Sequence, residues 1–330
     1  MAVLRWGLLS TARINLALLP ALRECTRAEA VAVASRDLGR ASSFAAEHGL
    51  PVAYGSYEEL IDDPDIDVVY NPLPNSLHAE WTIRAADAGK HVLCEKPLAC
   101  TLAEVDAIAA AAERNSVVVA EAFMYRHHPQ TRRVQEMAAS GAIGDIRLVR
   151  GSFSFTLEHR SDIRLDADLH GGAAWDVGVY PVSYARTIFG EPPVAVAAVR
   201  HDGANGVDLT CAGTITFPGG GRAQFDSSFE LPFRAHLEVV GSTGVIVVPN
   251  PFKPARSETI LCGPAGDALA PVEVRAEYGL YTYEVDDLTD AVLGLGGPRV
   301  TLADSRENVA TILAALDSGR RGGSPVEVAR

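Results

Sequence analysis

A change of hydrophobic period between the first 120 residues and the stretch from about Asp145 constrains this chain more than any other feature. Before it, short β-branched runs alternate with longer helical patterns, which is how a parallel sheet built of βαβ units is written in sequence. Strands are expected at Val3–Leu9, Ala30–Ala34, Val68–Tyr70, His91–Cys94 and Val117–Ala120. Helices are expected between them at Ile14–Glu24, Arg40–His48, Tyr57–Ile61, His78–Ala88 and Leu102–Arg114. The run AVAVA has no polar face, so it suits a strand covered on both sides.

From about Asp145 the period falls to two, and Arg147–Leu157, Val194–His201, Leu209–Phe217, Ala223–Glu230, Ala235–Val240 and Val245–Val248 read as strands. Turns such as Pro218-Gly219-Gly220-Gly221 separate several of them, and helices are expected near Tyr180–Phe189, Tyr283–Leu293 and Ser305–Ser318. The expected fold is α/β: an N-terminal Rossmann doubly wound parallel sheet over residues 1–121, then a C-terminal α+β domain with a large, mostly antiparallel open sheet over 122–330. A length of 330 residues supports two such cores.

The charge balance, 29 Lys+Arg against 42 Asp+Glu for a net −13, excludes a general nucleic-acid surface, which must neutralise phosphates. An anionic cofactor then requires a locally positive pocket. No run approaches the roughly 18 apolar residues that span a bilayer, so no membrane role is expected. Five cysteines at wide spacings without a C-x-x-C pair, and a start lacking the form of a secretion signal, point to a cytoplasmic protein with reduced thiols.

A dinucleotide fold needs a tight turn after its first strand, where small side chains let backbone N–H groups and the helix dipole reach a pyrophosphate. The turn here is Gly7-Leu8-Leu9-Ser10-Thr11-Ala12-Arg13-Ile14, with a single glycine. Ser10, Ala12 and Asn15 stand where the glycine motif would put its small residues. The second strand ends in Ser35-Arg36-Asp37, where an acidic residue normally holds a ribose 2′-hydroxyl. A short hydroxyl beside a guanidinium suits a 2′-phosphate instead, which favours NADP(H); Asp37 leaves NAD(H) as the lesser alternative.

Two further elements carry chemistry. Glu95-Lys96-Pro97 follows the fourth expected strand at the carboxyl edge of the sheet, where this kind of fold places ligands, so Lys96 can touch a substrate. Gly171-Gly172-Ala173-Ala174-Trp175-Asp176 opens a helix on which Asp176 and Tyr180, four apart, project from one face. His127-His128 lacks any partner spacing that completes a metal site, so no metal is expected.

These elements, together with Trp6-Gly7, Ala53-Tyr54-Gly55-Ser56-Tyr57-Glu58-Glu59-Leu60, the run Gly89 to Pro97 and Glu121-Ala122-Phe123-Met124-Tyr125-Arg126, resemble the Gfo/Idh/MocA oxidoreductases over essentially the whole chain. The resemblance implies a lysine in the Glu-Lys-Pro element and an Asp-x-x-x-His/Tyr pair, positions matched by Lys96, Asp176 and Tyr180. Tyr180, where inositol-type members carry histidine, looks closer to the dihydrodiol dehydrogenase, xylose dehydrogenase and glucose-fructose oxidoreductase branch. It further implies a nicotinamide-side role for His78, cofactor contacts from Pro72, Leu73, Asn75 and Glu95, and substrate contacts from Tyr125, Arg126 and Arg164. An open sheet used for oligomer contacts leads to an expected homodimer or homotetramer.

Hydride exchange at a carbinol carbon needs a group that exchanges the hydroxyl proton. Tyr180 is the first candidate, with Lys96 supplying the cationic field that favours phenolate character and Asp176 orienting the lysine or a neighbouring hydroxyl; the roles of Lys96 and Tyr180 are exchangeable. The expected substrate is a sugar or polyol. Alternatives are a keto-sugar reductase of sugar-nucleotide metabolism, a trans-dihydrodiol dehydrogenase, and a non-catalytic regulator that senses NADP.

Overall fold

The computed structural model describes residues 2–159 and 161–330. It contains two compact units. One comprises the residues up to His127 together with Tyr278–Arg306, the other His128–Glu277 with Glu307–Arg330.

In the first unit β1 (Leu4–Leu9), α1 (Asn15–Glu24), β2 (Ala28–Ala34), α2 (Leu38–His48), β3 (Val52–Tyr54), α3 (Tyr57–Asp62), β4 (Val68–Asn71), α4 (Asn75–Asp87), β5 (His91–Glu95), α5 (Leu102–Asn115), β6 (Val119–Ala122) and α6 (Met124–His127) alternate as the sequence pattern requires. The six strands are parallel in the order β3-β2-β1-β4-β5-β6. The order reverses between β1 and β4, which opens a crevice at the carboxyl ends of those strands. Trp6, Leu8, Val33, Val68, Tyr70 and Leu93 form the core with Leu18 and Leu22 of α1. Val285 and Leu288, on the helix Thr282–Val292, complete that layer. Each such side chain contributes about 1.5–3 kcal/mol by leaving water.

Helix ends are set locally. Ser56 caps α3, and Thr101 with Glu104 forms a reciprocal capping box on α5. Gly49 closes α2 at φ 73°, a left-handed conformation that costs glycine nothing. Relative to expectation α4 starts three residues earlier, at Asn75, and β6 lies two residues later, because the turns before them carry no punctuating glycine.

The second unit holds α7 (Pro129–Ala139), β7 (Ile146–Ser154), α8 (Val179–Phe189), β8 (Ala195–Asp202), β9 (Asp208–Thr216), β10 (Arg222–Ser228), β11 (Arg234–Gly241), β12 (Gly244–Val248), β13 (Ser257–Pro264), β14 (Ala270–Arg275) and β15 (Val326–Glu327). Nine strands form one sheet in the order β14-β13-β12-β11-β7-β10-β9-β8-β15, antiparallel except for the parallel pair β7 and β10. Helices α7 and α8 pack on it, α8 against β7 and β10. Among the described residues no helix is long and apolar enough to cross a membrane.

Candidate active site

At the carboxyl ends of β1 and β2, a cavity of about 510 Å³ is lined by Ser10, Thr11, Ala12, Ser35, Arg36, Asp37, Arg40 and Tyr57. The turn feeding it manages with one glycine for a reason visible in its bonds. Ser10 takes a left-handed φ of 66°, a conformation costing about 1–2 kcal/mol for a residue with a Cβ. Its hydroxyl accepts the Ala12 N–H at 3.2 Å, and its carbonyl accepts the Asn15 side-chain amide at 2.8 Å, which offsets that cost. Gly7 serves packing: a Cβ there would lie 2.7 Å from Leu60 Cδ2 of α3. Of the other turn residues Arg13 is exposed and Ile14 packs on the core.

Ser35 is held by its backbone N–H, which donates to Tyr54 O at 3.1 Å. Asp37, the residue that left a ribose diol open, caps α2 instead, its carboxylate accepting the Arg40 N–H at 2.7 Å. Burial raises the Tyr57 phenol pKa, while the positive charges of Arg36 and Arg40 pull it down. The cavity is therefore a cationic pocket in a chain of net charge −13. Arg40 and Tyr57 were not singled out from the sequence; Arg40 follows the Asp37 cap by three residues and so falls in the first turn of α2, a signal present but unused.

The turn after β5 is pinned from three sides. Tyr70 of β4 donates its hydroxyl to Glu95 Oε1 at 2.7 Å, Leu98 N–H donates to the buried Glu121 at 2.9 Å, and the His78 ring bridges Pro97 O and Leu73 O, each at 2.7 Å. His78 is buried rather than solvated, and burial lowers its pKa while the two carbonyls pull the other way. Pro72 and Leu73 are buried beside it, Asn75 begins α4, and Lys96 is half-buried, its own N–H donating to Glu95 Oε2 at 3.3 Å. Tyr125 and Arg126 of α6 are buried too, and the Arg126 guanidinium pairs with Asp304 at 2.8 Å.

In the second unit, Asp176 lies on a short π-helix, Ala174–Gly178, that runs into α8, where Tyr180 sits. In an α-helix residues four apart share a face, and the wider π turn at Ala174–Gly178 changes the angle between Asp176 and Tyr180. Arg164 Nε donates to Asp176 Oδ2 at 2.9 Å, and Nη1 pairs with Asp162 at 3.2 Å. Burial works against the Arg164 charge, but those two carboxylates more than offset it and raise its pKa. Tyr180, 5 % exposed, has its ring centroid 5.3 Å from Phe153 and 5.6 Å from Phe252, so packing fixes its orientation. No group of three or more His, Cys, Asp or Glu suited to a metal occurs among the described residues.

Residues 4–123 of the chain match the GFO/IDH/MocA oxidoreductase family with its NAD-binding Rossmann fold, and residues 131–247 match the GFO/IDH/MocA C-terminal domain. A D-xylose 1-dehydrogenase (NADP(+)) of Haloferax volcanii is 39% identical over 96% of this chain and 98% of its own. A trans-1,2-dihydrobenzene-1,2-diol dehydrogenase of Xenopus laevis is 34% identical over 94% and 96%. Among solved structures, a 3-ketoreductase from Actinomadura kijaniata in complex with NADP and TDP-benzene superposes with a TM-score of 0.88 at 33% identity, covering 97% of this chain and 98% of that one.

Proposed function

The chain belongs to the GFO/IDH/MocA family of oxidoreductases, and from that premise we propose that it moves hydride between NADP(H) and a hydroxyl or carbonyl carbon of a sugar or polyol. The observation that carries the cofactor half is the cavity in which Ser35, Arg36 and Arg40 meet the turn residues Ser10 to Ala12. A 2′-phosphate placed there gains charge-assisted bonds from two guanidiniums, while Asp37, which lines the same cavity, has one carboxylate oxygen engaged in capping α2. The pyrophosphate falls to the backbone N–H groups at the start of α1.

The nicotinamide, when bound, supplies the hydride acceptor or donor. What this chain supplies is the proton and its control. Tyr180 exchanges the hydroxyl proton, and Lys96 supplies the positive field that lowers the cost of the phenolate while donating to the reacting oxygen; the two roles are exchangeable. Asp176, anchored by Arg164, holds a neighbouring substrate hydroxyl. His78 holds the Lys96-Pro97 turn through its bonds to Pro97 and Leu73. Tyr125 and Arg126 back the substrate side.

A panel of aldoses, polyols, keto-sugars and trans-diols, incubated with NADP or NADPH and followed at the reduced-nicotinamide absorbance band, tests the assignment and separates the sugar from the diol and keto-sugar readings. Lys96→Ala and Tyr180→Phe are each expected to lose about 10²-fold or more in kcat. Near-wild-type turnover in both variants would overturn the proton-transfer assignment. The half-exposed face of the nine-stranded sheet supports a homodimer or homotetramer, which a solution mass measurement decides. Five free cysteines, four of them buried, support a reducing, cytoplasmic setting.

A further inference from the structure

The turn that carries Asp176 begins without a cap of its own. Ala173 stands at its N-terminal boundary and offers no side-chain oxygen, although the first N–H groups of any helix need acceptors. The acceptor comes from another element. Asp208, the first residue of β9 and only 3 % exposed, accepts the buried Ala174 N–H on Oδ2 at 2.7 Å.

The neighbouring glycines show how closely this clasp is fitted. Gly172 has φ 126°, and a Cβ there would sit 2.2 Å from Asp208 Oδ1. A Cβ on Gly171 would sit 2.3 Å from the Arg164 carbonyl oxygen. Both positions therefore exclude a side chain, one because of the carboxylate and one because of the Arg164 backbone. Gly172 in turn donates its N–H to Arg164 O at 2.8 Å and accepts the Asp176 N–H at 3.0 Å. With the Arg164 guanidinium bonded to Asp176, the segment forms a closed set of contacts whose outer fixed point is Asp208.

We propose that Asp208 is a positioning residue for the reaction assigned above: its carboxylate clasps the start of the π turn and so fixes Asp176, Arg164 and the following turn with Tyr180 in working geometry. This rests on the reading of Asp176 and Tyr180 under the proposed function. An anion is favoured at a helix N-terminus by the aligned peptide dipoles, and a charge-assisted bond is about twice as strong as a neutral one. Among the described residues, charged and titratable groups act on the carboxylate from two strands. From β8 come Arg200, paired with Asp202 at 2.5 Å, and Asp202 itself; β9 adds the buried Cys211. Burial pushes the Asp208 carboxyl up to about 6, against the Ala174 N–H and Arg200, which hold it down. Below that pH the clasp carries a proton and loses its charge.

Asp208→Asn and Asp208→Ala are compared with Val239→Ala, a buried position three strands away on β11 that serves as a control for plain destabilisation. Hydrogen exchange read by mass spectrometry over residues 172–180 is expected to rise about 10-fold or more in Asp208→Ala and to stay at the wild-type level in Val239→Ala. The kcat is expected to fall about 10-fold in Asp208→Asn and about 10²-fold in Asp208→Ala, with KM for NADP within about twofold. An acid limb near pH 6 in the wild-type rate profile should be absent from Asp208→Asn. Unchanged exchange across 172–180, or an equal kcat loss in Val239→Ala, overturns the proposal. Should the wild-type protein turn over nothing in the substrate panel, the functional reading fails, while the exchange comparison still decides whether Asp208 holds the turn.

Discussion

Under the proposed function, Arg36 is the residue on which cofactor choice is expected to turn. Its guanidinium and that of Arg40 line one cavity with Ser35, so Arg36→Ala is expected to raise KM for NADP about 10-fold or more while leaving KM for NAD nearly unchanged, as measured by initial rates with each cofactor. Equal changes for the two cofactors would remove the 2′-phosphate role. Gly7→Ala tests a different property, packing inside the central strand β1. The added methyl meets Leu60 at 2.7 Å, an overpacking expected to cost about 1–3 kcal/mol by denaturant unfolding. Residue identity is what makes the candidate residues legible in the sequence. Ser35-Arg36, Glu95-Lys96 and the Asp176, Tyr180 pair lie in short motifs whose chemistry is local. The roles of Glu121, Tyr57 and Asp208 are not legible there, because each acts by reaching a backbone or side-chain group many residues away.

Elements were legible where burial is two-sided or the period is clean. β1, β2, β4 and β5 are apolar runs between punctuated helices, and the pattern alone places them. β3 escapes it because three residues carry no period, and β14 escapes it because an edge strand tolerates the polar residues and the proline found there. Helix α7 hides behind the doublet His127-His128, which draws attention to metal chemistry, whereas His128 caps the helix by accepting the Gln130 N–H at 3.1 Å. No local signal marks residues 278–306 as partners of the N-terminal core, since their contacts with it reach far along the chain, for example 178 positions between Arg126 and Asp304 and 258 between Thr282 and Glu24. At this scale the capping box on α5 gives a clean test. Thr101→Ala removes the acceptor of the Glu104 N–H and is expected to cost about 1 kcal/mol, read as a lower denaturation midpoint with unchanged slope.

For the molecule as a whole, the dependence of stability on pH follows from two opposed sets of carboxyls. Asp63, which accepts the Tyr54 hydroxyl, and Asp106, which accepts Arg306, have lowered pKa values. Their contribution is present above the ordinary carboxylate range and is lost as pH falls through the folded values. Glu284 is the reverse case. It is fully buried on the helix Thr282–Val292, neither of its carboxyl oxygens has a hydrogen-bond partner among the described residues, and burial, then the charges of Glu95 and Asp287, raise its pKa well above the usual value. The folded chain keeps that proton while the unfolded chain releases it, so its contribution is full at acid pH and falls by about 1.4 kcal/mol per pH unit between the unfolded and folded pKa values. Asp208, raised to about 6, acts in the same direction over a shorter interval. Stability is therefore expected to peak at mildly acidic pH and to decline on the alkaline side, where a net charge already −13 at pH 7 adds self-repulsion. Glu284→Gln keeps the shape and cannot ionise, so its Tm should lie close to wild type near pH 5 and exceed it by a margin that widens as pH rises above the ordinary carboxylate values. A constant offset across that range would mean that Glu284 does not hold its proton in the folded state.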